Sequence, residues 1–123
     1  MADPRTEGLN VFRDMLPGLV PDDATTLRDG GIADELIDLG VDHVFGALWA
    51  RPGLDRRSRS LATIGALIAL RATDELKSHF RIALRNGLSI TEIEEVIYHM
   101  AGYAGYPAAN AAQKAAREAL ADS

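Results

Sequence analysis

Three side chains suited to proton transfer fall in the second half of the chain: His79, Glu95 and His99. Four arginines, Arg51, Arg56, Arg57 and Arg59, precede them and offer fixed positive charge for a carboxylate. Glu92, Glu95, His99 and Tyr103 are spaced by 3, 4 and 4 residues, so on a helix they form one stripe. Glu95 and His99 can then touch, and a carboxylate at that distance favours the imidazolium, a usable acid. The same spacing also describes an exposed ion pair worth only about 0.2–0.5 kcal/mol. His79 stands three residues after Leu76 and beside Phe80, at the edge of an apolar face. It reads either as a reactive group or as a hydrogen-bonded core histidine. From spacing alone both readings stay open.

Several other chemistries find no support. The chain has no cysteine, which removes disulfides, thiolate metal sites and thiol redox chemistry together. Two histidines and a glutamate are a possible ligand set, but no His-Glu-x-x-His run accompanies them, so no metal site is expected. No Gly-x-Ser-x-Gly turn, phosphate loop or dinucleotide fingerprint occurs. A net charge of -5 argues against a general nucleic-acid binder. The most apolar run, residues 61–70, is shorter than the about 20 residues that span a bilayer. No segment combines a basic start, an apolar run and a cleavage site, so a cytoplasmic protein is expected.

The elements that would position these groups are helices. With 123 residues, 47% of them hydrophobic and 25% charged, the chain is expected to form one globular domain over residues 1–123. Residues 1–6 read as an unordered start, and apolar spacing predicts a helix over 7–16, stopped by Pro17-Gly18. Residues 19–31 read as a connector with a turn near 22–27. A helix over 32–49 is predicted despite Gly40 and Gly46, each of which costs up to about 1 kcal/mol. Asp55 is placed to cap the next helix, over 58–70, which is apolar almost all round and belongs in the middle of a bundle.

A further helix starts at Thr73 or Asp74, buries Leu76, Phe80, Ala83 and Leu84, and stops at Asn86-Gly87. Ser89 and Glu92 have capping-box spacing, and the helix they open buries Ile93, Val96, Ile97, Met100 and Ala101. Pro107 suits the first turn of a last helix over 108–121. No segment alternates with period two, so the fold class is all-α with about six helices. Antiparallel helices joined at Asn86-Gly87 could bring His79 near the Glu95/His99 stripe.

Five ordered motifs add to this reading. They are Trp49-Ala-Arg-Pro-Gly-Leu-Asp-Arg-Arg-Ser-Arg-Ser-Leu61, Glu75-Leu-x-x-His79, Leu84-Arg-Asn-Gly87, Glu92-Ile-x-Glu-Val-Ile-x-His99 and Tyr103-Ala-Gly-Tyr-Pro-Ala-Ala-Asn110. Together they resemble the carboxymuconolactone decarboxylase family, in detail over residues 49–110. The resemblance implies an AhpD-like helical bundle assembled as a homo-oligomer, a hexamer or trimer, with sites near subunit contacts. It implies cofactor-independent decarboxylation of γ-carboxymuconolactone to β-ketoadipate enol-lactone in protocatechuate breakdown. On that basis His79, Glu95 and His99 are the expected catalytic residues, and Arg51 and Arg59 are expected to bind the small anionic lactone. The wider superfamily includes peroxidases with a Cys-x-x-Cys pair, a branch that a chain without thiols cannot join. A lactone isomerase or cyclase on the same scaffold, or a helical oligomer without enzymatic activity, are the alternative readings.

Overall fold

The computed structural model describes residues 3–123. The chain divides into two compact units, one ending at Leu54 and one running from Asp55 to Ser123. All regular structure among the described residues is helical, as the lack of alternation predicts. None of these helices is long and apolar enough to cross a membrane.

The first unit contains α1 (Pro4–Met15), α2 (Glu35–Gly40) and a π-helical segment (Val41–Trp49) that continues α2. The start of α1 departs from the unordered start predicted for residues 1–6. The Asp3 carboxylate accepts hydrogen bonds from the Thr6 amide, at 2.9 Å, and the Thr6 hydroxyl, at 3.0 Å. Pro4 then fills the first turn, where its missing N–H costs nothing. Met1 and Ala2 lie outside the described residues.

The helix predicted over 32–49 begins only at Glu35, just after Ala33 in the left-handed region (φ 59°). From Val41 it widens, and the Ala50 amide reaches back five residues to the Phe45 carbonyl at 3.2 Å. α1 packs against this segment so closely that Gly8 faces the Val41 carbonyl and Gly46 faces the Pro4 carbonyl. Neither position has room for a Cβ. Gly46 is therefore more than a helix-weakening residue, because it lets two backbones meet. Arg5 grips Asp42 with two hydrogen bonds, and Leu9, Phe12, Val20 and Val41 form the unit's core.

Asp38 is almost fully buried and was not singled out by the sequence. It accepts from the Thr26 hydroxyl and from the Leu27 amide at 3.0 Å. Arg28 Nε and Arg5 Nη1 approach it at 3.2 and 3.4 Å. The Thr26 hydroxyl first, then the Leu27 amide and the two guanidinium groups, hold its carboxyl below the usual carboxylate range. A buried carboxylate with this many partners ties the connector over residues 19–31 to α2.

The second unit is a bundle of α3 (Arg56–Leu70), α4 (Thr73–Arg85), α5 (Ile90–Ala104) and α6 (Tyr106–Ala119). Its local signals act as the residues predict. Asp55 caps α3 by accepting from the Ser58 amide at 2.7 Å. Ser89 and Glu92 close a reciprocal capping box on α5. Gly87 takes a φ of 101° behind α4. The core joins Ile64 and Ile68 of α3, Leu76, Phe80 and Ala83 of α4, and Ile93 and Ile97 of α5 to the alanines of α6. α3 touches each of the other three helices, but so does each of them. It buries only Ser60, Ile64 and Ile68, while Ala62, Ala66, Ala69 and Leu70 are exposed, so the central, all-round-buried position expected of it is not what the bundle shows. Asn86 donates to the buried Ser60 hydroxyl at 3.0 Å and pins the end of α4 to α3.

The two backbone contacts at glycine make a direct prediction. Gly8→Ala should lower stability by about 1–3 kcal/mol, the usual cost of forcing atoms into a filled site. Gly40→Ala, with open space around it, should instead be neutral or gain up to about 1 kcal/mol from helix propensity. Urea unfolding of both variants tests this, and equal effects would contradict the close backbone contact.

Candidate active site

His79 is carried by α4, whose buried residues are Leu76, Phe80 and Ala83, as predicted, and Ile82, which was not predicted. Being three residues past Leu76 and four before Ala83, the imidazole lies on the shoulder of the buried face and is half-buried. Its Nδ1 is sealed from solvent. Burial pushes the His79 pKa below its ordinary value, and the negative charge of Glu75, one turn earlier on the same helix, acts in the opposite direction. At neutral pH the ring is thus mainly neutral, with one N–H to donate and one nitrogen to accept.

Glu95 and His99 lie on α5, and both are exposed. The stripe predicted from their spacing is present, but its members pair differently. The His99 ring packs on Tyr103, with centroids 4.9 Å apart and planes tilted by 36°. Among the described residues no ion pair joins His99 to Glu95. Glu92 is taken up by its capping box and by an ion pair with Arg57 of α3. α4 packs mainly on α3 and α6 and meets α5 only slightly, so the helix hairpin is a weak contact.

The arginine cluster also separates on inspection. Arg57 is the structural member, bridging α3 to α5. Arg59 is half-buried in the first turn of α3, where the Thr63 hydroxyl donates to its carbonyl at 2.8 Å. Arg51 is exposed in the first unit, just after the π-helical segment. His79, Glu95, His99 and Arg59 therefore share the second unit, and Arg51 belongs to the first. Among the described residues no group of three or more histidine, aspartate or glutamate side chains is placed to hold a metal ion.

A separate groove of about 420 Å³ runs between α5 and α6, with Ile93, Ile97 and Leu120 in its lining beside Tyr98, Asn110 and Arg117. None of the five expected site residues lines it. One residue absent from that set bears on His79 directly, namely Glu75. The signal for it was available, since Glu75 and His79 have the same four-residue spacing as Glu95 and His99.

Comparison with known proteins adds a second line of observation. A model of the carboxymuconolactone decarboxylase family matches residues 35–118, a span that includes all five expected site residues. A 4-carboxymuconolactone decarboxylase from Acinetobacter baylyi is 47% identical over 78 residues, 63% of this chain. The match covers 58% of that protein's own length. A nitrosuccinic acid decarboxylase from Metarhizium robertsii is 39% identical over 105 residues, covering 82% of this chain and 70% of the relative.

The depressed pKa of His79 links stability to pH. Folding lowers its proton affinity below the unfolded value of 6.5, so unfolded chains take up protons that folded ones refuse. The associated stability is complete above pH 6.5 and is lost as pH falls through the folded value. Between about pH 7.5 and about pH 5.5, wild type should lose more unfolding free energy than His79→Gln. Equal losses in urea titrations would contradict the burial of this imidazole.

Proposed function

Because the chain belongs to the carboxymuconolactone decarboxylase family, we propose that it removes carbon dioxide from γ-carboxymuconolactone without a cofactor. The product would be β-ketoadipate enol-lactone, formed in the breakdown of protocatechuate. The observation that carries this reading is the 47% identity with a 4-carboxymuconolactone decarboxylase.

The chemistry suits a protein that offers only acids, bases and fixed charge. The departing carboxylate is conjugated, through the ring double bond, to the lactone carbonyl. When the carbon–carbon bond breaks, its electron pair moves through that double bond and leaves a dienolate with charge on the carbonyl oxygen. One proton then adds to the ring carbon next to that carbonyl, so that the double bond ends at the carbon that lost carbon dioxide, as the enol-lactone requires. The protein must meet the oxyanion with aimed donors and supply that proton. In nitrosuccinic acid, named for the second relative, a nitro group can accept charge in the same way. The supported substrate class is therefore a small polycarboxylate whose leaving carboxylate adjoins an electron sink.

His79 fits the oxyanion role, since a half-buried neutral imidazole donates an N–H in surroundings where that bond counts for more than in water. Glu95 and His99, each exposed on α5, supply a separate base and acid, and Arg51 and Arg59 are the proposed carboxylate-binding residues. The homo-oligomer belongs to the same proposal. Its support is the exposure of Tyr98, Tyr103 and Tyr106 near the α5–α6 groove, a composition common in protein contacts.

Purified protein should release carbon dioxide from γ-carboxymuconolactone, with loss of the substrate's ultraviolet absorbance. His79→Ala should lower kcat by about 10²–10³-fold while keeping the wild-type mass, that of an assembly, by light scattering. Wild-type rates in a folded His79→Ala protein would remove His79 from the mechanism. An inert wild type would overturn the decarboxylase reading.

A further inference from the structure

The groove of about 420 Å³ between α5 and α6 takes no part in the proposed chemistry, yet its walls are regular. Ile90, Glu94, Ile97 and Tyr98 line it from α5, and Tyr106, Asn110, Arg117 and Leu120 from α6. Separations of three, four and seven residues place each set on one face of its helix. Ile93 and Ile97 are the buried part of the lining. The rim stands in solvent, with 63% of Tyr98, 74% of Tyr106 and 39% of Ile90 exposed. Aromatic and aliphatic surface gathered around a concave strip is typical of a protein contact.

Two charges stand on the same walls. Glu94 is on α5 and Arg117 on α6, and both are exposed. Among the described residues neither has an ion-pair or hydrogen-bond partner. The chain reverses at Gly105, since Ile90 at the start of α5 and Leu120 just past the end of α6 line one groove. Glu94 is eleven residues before Gly105 and Arg117 twelve after it, so the two stand at one level on opposite walls.

We propose that a second copy of this chain covers the groove with its own α5–α6 groove, about a twofold axis running along it. This names the contact of the proposed homo-oligomer and rests on that part of the functional reading, not on the reaction. Such an axis keeps every level and exchanges the walls, so α5 of one copy faces α6 of the other. Glu94 of each copy then meets Arg117 of the other, and two ion pairs form per contact. Tyr98, seven residues from Gly105, comes level with Gln113, eight residues from it, whose amide can bond the phenol.

The charges favour this occupant over others. A twofold contact is self-complementary when each charge meets its opposite, and this groove carries one of each sign at one level. A ligand of single charge would leave Glu94 or Arg117 facing its own sign. An axis across the groove would instead set α5 on α5 and bring Glu94 toward its own copy.

The test follows mass and dissociation constant by sedimentation for wild type, Glu94→Arg, Arg117→Glu and the double variant. Each single reversal sets like charges opposite one another twice per contact and should raise the dissociation constant at least about tenfold. The double variant restores both pairs and should recover most of that loss. A second measurement guards against a reversal that fails to fold. In this cysteine-free chain, a short bismaleimide should join Glu94→Cys chains to Arg117→Cys chains far more than either variant to itself. Single reversals that leave the dissociation constant unchanged, or a double variant no tighter than they are, would overturn the contact and leave the homo-oligomer to another face. Cross-linking of Glu94→Cys chiefly to itself would also overturn it. A monomeric wild type would overturn the homo-oligomer and this contact together, and none of these results bears on decarboxylation.

Discussion

The second unit depends on the burial of one face of α4. Leu76, Phe80 and Ala83 are fully buried and join α3, α5 and α6 in one core. A Leu or Phe buried in this way contributes about 1.5–3 kcal/mol, so the rotation of α4 is strongly determined. His79 lies between Leu76 and Phe80 in sequence, and its half-buried state follows from that rotation. Its lowered proton affinity, and its closeness to Glu75, then follow from burial and helical spacing. A substitution that let α4 roll would change the chemistry of the histidine without touching it.

The first unit is held by a different means. Its small core is supplemented by backbone contact at Gly8 and Gly46, by the Arg5–Asp42 pair and by the buried carboxylate of Asp38. Such an arrangement is specific because each part is intolerant. A Cβ has no room at either glycine, and a carboxylate shielded from solvent is destabilising once stripped of its partners. A long π-helical stretch is uncommon, and here it occurs where α1 lies closest to the segment.

What could be read from the residues follows the range of the interaction concerned. Caps and stops are local, so Asp55, the Ser89–Glu92 box and Asn86-Gly87 were legible and stand where their types predict. The apolar face of α4 was legible in Leu76, Phe80 and Ala83, and that of α5 in Ile93 and Ile97. By contrast, Leu84, Val96, Met100 and Ala101 are only partly buried, and Ile82 is buried off the expected pattern. Gly8, Gly46 and Asp38 were not legible, since their roles are set by partners tens of residues away in sequence. The site was half legible. His79 at the edge of an apolar face is where its neighbours imply, whereas spacing suggested Glu95 for His99, which packs on Tyr103 instead. Helical spacing identifies which side chains can meet, and competition among several candidates decides which do. Glu75 stands in the Glu75-Leu-x-x-His79 motif and obeys the same rule, but an acidic residue in a first helical turn already has a structural explanation.

The proposed small-acid site is built around His79 and not in the groove between α5 and α6. The most direct measurement is NMR mapping of a saturated γ-lactone dicarboxylate, which lacks the double bond needed to accept charge and therefore cannot react. Saturable shift changes at His79 and Glu75 are the predicted result. Changes confined to Tyr98, Asn110 and Arg117, with His79 silent, would contradict the account.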